Sequence, residues 1–280
     1  MDSDIADEQK VQQDLRLKEN IGRIKNKIIV MSGKGGVGKT TVAVNLAYSL
    51  ALKGYKVGIL DVDIHGPNIA KMLGIEGKRL NGSRSGMEPV EVIQNLKAIS
   101  IALLIDDPDK PIIWRGPLKM QMIKQFLSDV NWGDLDYLII DAPPGTGDEP
   151  LSVCQLISDI NGAIIVTTPQ DVAVLDSRKS IQFAKEMKIP VIGIIENMSG
   201  FICPNCQKKI NLFGVGGGEK AANDLEVPFL GRLPIEEELV KLGDEGKPFI
   251  QSRKEGNAVK NMNAIVDKIE EVSHQSIFKK

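Results

Sequence analysis

The stretch Ser32-Gly33-Lys34-Gly35-Gly36-Val37-Gly38-Lys39-Thr40-Thr41 decides the fold. Gly33 to Thr40 fits glycine, any four residues, then Gly-Lys-Thr, the phosphate-cradling P-loop pattern. An apolar run, Lys27-Ile28-Ile29-Val30-Met31, precedes it and reads as a buried strand. A helical pattern, Thr41 to Leu52, follows. Strand, glycine loop and helix in that order separate a working P-loop from a chance match. The glycines let successive backbone N–H groups face a polyphosphate, and the helix N-terminus adds a favourable dipole. Gly33, Gly35, Gly36, Val37, Gly38 and Thr41 are therefore candidate nucleotide contacts. Lys39 is expected to reach the β- and γ-phosphates, and the Thr40 hydroxyl to ligate magnesium.

Outward from the loop, apolar runs alternate with helical periodicity. Strands are expected at 27–31, 56–61, 98–104, 136–141, 162–167, 190–196 and 228–232, and helices at 39–53, 116–130, 149–159, 171–187, 217–225, 236–243 and 257–273. This alternation predicts an α/β fold, a mostly parallel sheet with helices on both faces. The strands are near-continuous Val/Ile/Leu runs, as expected when both faces are covered. Residues 74–90, rich in Gly, Ser, Arg and Lys, read as a mobile excursion. Residues 1–26 read as a charged tail passing into a short helix, and 27–280 as a single P-loop ATPase domain.

Bulk properties narrow the function. The 280 residues are 42% apolar, enough for a filled core without disulfides. A net charge of −2 gives no global electrostatic case for nucleic acid or a membrane surface. No apolar run approaches the about 20 residues of a membrane span. The charged N-terminus lacks the apolar segment of a secretory signal. Three cysteines are too few for a disulfide framework, and a reducing cytoplasm is expected.

The remaining nucleotide site is expected at strand carboxyl ends, which line the ligand crevice of open α/β sheets. Leu60-Asp61-Val62-Asp63 places two carboxylates there. Asp61 is a candidate to hold a magnesium-bound water, and Asp63 to orient or deprotonate the attacking water. Tyr137-Leu138-Ile139-Ile140-Asp141 has the Walker B pattern, whose carboxylate supports magnesium through water. In Pro143-Pro144-Gly145-Thr146-Gly147-Asp148, the Gly145 N–H is positioned to meet the γ-phosphate, and Asp148 is expected to cap the next helix. Asn197, after another strand, offers an amide to the N6/N7 edge of adenine. Gly200 stands where a guanine-specific site carries an aspartate, so ATP is favoured over GTP. Pro234 is expected to flank the base.

Cys203-Pro204-Asn205-Cys206, near a loop at 201–210, is half a metal site, a redox pair, or two ordinary cysteines. Cys154, beside Val153 and Leu156, reads as core. One chain cannot complete a four-thiolate shell, whereas a two-fold axis brings two such pairs together. Four thiolates suit a cubane iron–sulfur cluster or zinc.

Lys34-Gly35-Gly36-x-x-Gly-Lys39-Thr40 resembles the deviant Walker A ATPases, which include MinD, ParA and the nitrogenase iron protein. The resemblance implies that Lys34 reaches the partner's nucleotide across a homodimer interface, as an arginine finger does, and that Asp63 activates the water. The match is closer still to the Mrp family of iron–sulfur cluster carrier ATPases. It runs through the P-loop, Asp63-Ile64-His65-Gly66-Pro67, Trp114-Arg115-Gly116-Pro117 and Asp141 to Asp148. It continues in Asn197-Met198-Ser199, the cysteine motif and Phe213 to Glu219, covering about residues 22–275. It implies ATP, Mg2+ and a [4Fe-4S] cluster bridged between protomers by Cys203 and Cys206, with apo iron–sulfur proteins as recipients. The N-terminal four-cysteine site of eukaryotic members and the extra N-terminal domain of many bacterial ones have no counterpart here, which implies a minimal form. Two other readings remain: a regulator of membrane or DNA positioning like MinD or ParA, and a zinc-bridged dimeric ATPase. A membrane regulator calls for a basic amphipathic C-terminal helix. The 257–273 pattern, with Val259, Met262, Val266, Ile269 and Val272 on one face, is instead expected to pack on the core.

Overall fold

The structure is a computed structural model describing residues 2–64, 66–83, 86–105, 114, 116–157, 159–251 and 256–274. His65 and Arg115, both within motifs that carry the family resemblance, lie outside the described residues.

The chain starts with helix α1 (Asp2–Gly22), strand β1 (Ile24–Met31), α2 (Lys39–Leu52), β2 (Val57–Asp61) and the short α3 (Ile69–Met72). A hairpin of β3 (Asn81–Ser83) and β4 (Gly86–Glu88) leads to β5 (Val90–Ile93), β6 (Leu96–Ile99) and a 3-10 turn at Ile101–Leu104. Then follow α4 (Gly116–Ser128), β7 (Leu135–Asp141), α5 (Asp148–Leu156), β8 (Gly162–Thr167), α6 (Asp171–Glu186) and β9 (Val191–Glu196). The last part comprises β10 (Phe201–Ile202), β11 (Lys209–Ile210), α7 (Gly217–Asp224), β12 (Phe229–Arg232), α8 (Glu237–Asp244), a 3-10 turn at Phe249–Gln251 and α9 (Asn257–His274).

Eight strands form one sheet in the order β12-β9-β8-β1-β7-β2-β6-β5. All neighbours are parallel except β5 and β6. The chain runs from β1 out to β2 on one side and later from β7 across to β8 on the other. The order therefore reverses at β1, and the P-loop leaves the sheet at this switch point, where open α/β sheets bind ligands.

The alternation along β1 assigns its side chains to two cores. Ile28 and Val30 pack with α2 and α9 on one face, while Ile29 and Met31 pack with α4, α5 and α7 on the other. Both faces are covered, which explains why the strands read as continuous apolar runs. Helix α9 buries Met262, Val266 and Ile269, and Val259 and Val272 pack at its margin, so its apolar face is used by the core. Cys154 is buried among the second core's residues, and burial pushes its thiol up to about 11.

Three expectations change. The run 98–104 is not one strand: it ends at Ile99, and Ser100 caps a 3-10 turn by accepting from the Ala102 N–H at 3.2 Å. Apolar content misled there, because Ile101 and Leu103 of the turn are buried like the strand residues before them. Within 74–90 lie the β3–β4 hairpin and the start of the antiparallel edge strand β5. At the N-terminus the helix is 21 residues long rather than short. Asn20 anchors its end, the side-chain amide donating to the carbonyls of Ser128 and Val130 at 2.9 and 3.1 Å.

Candidate functional site

The loop from Ser32 to Gly38 links β1 to α2, and its backbone is one only glycine adopts freely. Gly36 and Gly38 have φ of +79° and +84°. Space is short as well: a Cβ on Gly33 would lie 2.2 Å from the backbone carbon of Asp176 in α6, and one on Gly38 would lie 2.1 Å from Asn197 Nδ2. The loop is thus clamped between α6 and the turn after β9.

Behind it stand the predicted carboxylates. Asp61 and Asp141 face each other in register at the ends of β2 and β7. Lys39 Nζ donates to Asp141 Oδ1 at 2.7 Å and lies 3.6 Å from Asp63 Oδ2. The Thr40 hydroxyl donates to Asp141 Oδ2 at 2.7 Å. The P-loop lysine and threonine are therefore already gathered at the Walker B carboxylate. Asp61 is buried and accepts three hydrogen bonds. Its Oδ2 accepts from the Ser100 hydroxyl at 2.9 Å and the Ile69 N–H at 3.4 Å, and its Oδ1 from the Asp63 N–H at 3.2 Å. Burial, reinforced by the Asp141 charge, raises its carboxyl to about 8. These bonds hold the turn that carries Asp63. Burial also raises the Asp63 carboxyl, against the pull of Lys39, toward the range that suits a general base.

The switch loop touches the P-loop directly. Gly145, at φ +93°, donates its N–H to the Ser32 carbonyl at 2.8 Å. Helix α5 starts at Asp148 with Gly147 as its cap, so Asp148 sits in the first turn, where the helix dipole favours a carboxylate, instead of capping. A cavity of about 430 Å³ opens over these groups, lined by P-loop residues, Asp63 and Pro144, with Lys71, Met72, Leu239 and Val240 on its far side. That volume falls within the usual range for small-ligand sites. Helices α3 and α8 thus contribute walls that the motifs did not announce.

Asn197 and Pro234 do not line that cavity. The Asn197 amide donates instead to the Val37 carbonyl at 2.9 Å, bracing the P-loop from beneath. Pro234 follows Leu233, whose carbonyl accepts the Ser199 N–H and whose own N–H donates to the Glu196 carbonyl, both at 2.9 Å, so it lies beside the Asn197 turn. The Lys34 side chain is half-buried, and among the described residues it makes no ion pair. Trp114 packs on the second core, and Gly116 opens α4.

Cys203 and Cys206 sit at the tip of the two-stranded hairpin β10–β11, in which Phe201 pairs with Ile210 and Ile202 with Lys209. The Cys203 N–H donates to the Lys208 carbonyl at 3.0 Å, and the Gln207 N–H to the Cys203 carbonyl at 2.9 Å. Backbone N–H groups of Cys206 and Asn205 point at the Cys203 sulfur and hold its thiol below the usual value, the environment of a ready metal ligand. Cys206 is exposed. Ile202 and Ile210 on the hairpin, and Leu212, Phe213 and Val215 just after it in the chain, are exposed apolar side chains. Among the described residues, no group of three or more His, Cys, Asp or Glu is arranged to hold a metal ion, so no described residue completes a metal shell around the two thiols.

Residues 23–270 match the ParA family description "NUBPL iron-transfer P-loop NTPase". The chain belongs to this family. Among relatives of NUBPL-type NTPases, a Methanocaldococcus jannaschii protein named iron-sulfur cluster carrier protein is 54% identical over 261 residues, 92% of this chain and 90% of that one. A Saccharolobus solfataricus protein of the same name is 46% identical, over 91% of this chain and 86% of its own. A nucleotide-binding protein from Archaeoglobus fulgidus, solved in complex with ADP, superposes with a TM-score of 0.74 at 43% identity, covering 84% of this chain and 92% of its own. The cell-division ATPase MinD of Pyrococcus furiosus, 22% identical with a TM-score of 0.63, shares the fold, covering 88% of this chain and 99% of its own. Nucleotide hydrolysis is the family's chemistry, and the clustered Lys39, Asp63 and Asp141 are equipped for it.

Proposed function

We propose that this NUBPL-type NTPase hydrolyses ATP and carries a [4Fe-4S] cluster between two copies of itself for delivery to apo iron–sulfur proteins. The observation that carries the reading is the cysteine hairpin. It presents two thiols at an accessible tip, one of them favoured as thiolate by two backbone N–H groups, on a P-loop ATPase frame. Two thiolates per chain and a four-thiolate shell require a homodimer. The names of the archaeal relatives support the cargo, and thiols kept reduced suit a cytoplasmic setting.

For hydrolysis, water attacks the γ-phosphorus, its proton is taken up in the process, and ADP leaves. Asp63 orients that water and is poised to accept the proton. Lys39 leaves its carboxylate partners to neutralise the β- and γ-oxygens. Lys34, with no ion-pair partner of its own among the described residues, serves the partner's nucleotide. The hard oxygen donors of Thr40, Asp141 and Asp61 suit magnesium, which would neutralise phosphate charge there. The Gly145 N–H exchanges the Ser32 carbonyl for the γ-phosphate. Cluster delivery is thiolate exchange at iron and needs no change of oxidation state.

Anaerobic reconstitution with iron and sulfide tests the cargo. The wild type and Cys154→Ala should bind iron and acid-labile sulfide in equal amounts, and Cys203→Ala and Cys206→Ala should lose both. Zinc in place of iron and sulfide, or full loading of Cys203→Ala, would overturn the reading.

A further inference from the structure

Glu196 ends β9, and its side chain is entirely buried. The run Val191-Ile192-Gly193-Ile194-Ile195 makes a carboxylate at this point unexpected in a core-forming strand. Four donors converge on it. Oε1 accepts from the Ser199 hydroxyl at 2.5 Å, the Gly216 N–H at 2.9 Å and Arg232 Nε at 3.2 Å, and Oε2 from the Gly218 N–H at 2.6 Å. Arg232 stands opposite in the β12–β9 register and also pairs with Glu219. The carboxylate thus lies at the N-terminus of α7, where its charge is favoured.

This accounts for Gly216 and Gly218 within the glycine-rich run 214–218. Gly216 has φ of +92°, which aims its N–H inward, and a Cβ on Gly218 would lie 3.2 Å from the Glu196 side chain. The run delivers two backbone N–H groups to one buried carboxylate.

The positions of these donors carry the inference. Ser199 lies just before the cysteine hairpin and Gly216 just after it, so both stems of the segment bearing Cys203 and Cys206 are fastened to the same carboxylate. The preceding main chain is fastened to the nucleotide loop: Asn197, next to Glu196, donates to the P-loop carbonyl of Val37 at 2.9 Å. Val37, Asn197, Glu196, and then Ser199 and Gly216 form a continuous path of short hydrogen bonds, joined by the Glu196–Asn197 peptide link, from the P-loop to the segments flanking the hairpin. In a packed interior such a path transmits a shift of the loop instead of absorbing it.

We infer that Glu196 is a positioning residue that couples the two sites: a change of the P-loop on binding ATP moves Asn197, and the Glu196 carboxylate passes the movement to both stems of the cysteine hairpin. The inference rests on the proposed nucleotide and cysteine sites and adds the residues that join them. Glu196 touches neither nucleotide nor cluster.

The test uses thiol chemistry without a cluster, so it stands apart from the test of the cargo. Metal-free full-length protein is alkylated at Cys203 and Cys206 with and without a saturating Mg2+-bound non-hydrolysable ATP analogue, and each site is followed by mass spectrometry. Buried Cys154 serves as the internal reference. In the wild type the analogue is expected to change the alkylation rate by about fivefold, the small end of common site-to-site coupling. In Glu196→Gln the rates with and without the analogue should become equal, although the analogue still binds. Ser199→Ala, which removes one stem bond and leaves the charge paired by Arg232, guards against misfolding of the first variant and should reduce the response to an intermediate value. A response of wild-type size in folded Glu196→Gln and Ser199→Ala would overturn the inference, as would a wild type whose thiols ignore the analogue. Failure of iron and sulfide loading, by contrast, would remove the cargo and leave these rates to be judged by themselves.

Discussion

Asp63 lies 3.6 Å from the ammonium of Lys39 and at the end of a turn held by buried Asp61. Its carboxylate is close enough to feel the P-loop charge yet is not committed to a short bond with it, unlike Asp141. Asp63→Ala should therefore keep ATP binding within a few-fold while lowering turnover by about 10²–10⁴, the usual contribution of a positioned base. Lys39→Ala should lose binding itself. Equilibrium titration with a fluorescent ATP analogue, alongside phosphate release, separates the two, and turnover surviving in Asp63→Ala would remove its role. In the same titration GTP should compete less well than ATP, since Gly200 stands where a guanine-specific site carries an aspartate. At this scale the sequence was informative wherever a motif fixes a spacing, as in the P-loop and the two Asp-terminated strands. It was silent about Glu196, because a charge at the end of an apolar run reads as solvent-facing until the glycine turn twenty residues later supplies its donors. Asn197 was found by its place after a strand, but its bond to Val37 depends on two loops meeting in space.

The elements were legible where hydrophobic period and length agree, as in β1, β7, α2 and α9. They were obscured where burial without regular structure imitates a strand, as at Ile101–Leu104, and where polar loop composition hides a short hairpin, as at 81–88. No local pattern shows that α6 backs the P-loop. Gly33 reveals it, since its missing Cβ is what lets the loop approach the Asp176 backbone. Gly33→Ala, at a position whose motif role is usually assigned to phosphate binding, should destabilise the nucleotide-free fold. The expected loss is about 1–3 kcal/mol, the range for forcing extra volume into a packed site. Urea unfolding should then show a lower midpoint at an unchanged slope. Wild-type stability combined with weak nucleotide binding would assign Gly33 to the ligand alone.

Across the whole molecule, two features find no partner among the described residues. Lys34 precedes Gly35 and Gly36, which line the nucleotide crevice, and Cys203 and Cys206 stand at the tip of a hairpin that carries exposed apolar side chains at Ile202 and Ile210. In the proposed homodimer a second copy related by a two-fold axis would supply what each needs: a second nucleotide for the lysine and two more thiolates for the cysteines. The family motifs imply this arrangement from the amino-acid sequence alone. The path joining the two sites is different in kind, because it exists only where β9, the P-loop and the glycine turn meet in space. The central claim is that one cluster is shared by two chains. Native mass spectrometry of the anaerobically reconstituted protein tests it most directly. The account predicts a species of two chains with one [4Fe-4S] cluster, absent in Cys203→Ala and present in Cys154→Ala. A single chain retaining a complete cluster, or a dimer whose cluster survives loss of Cys203, would contradict it.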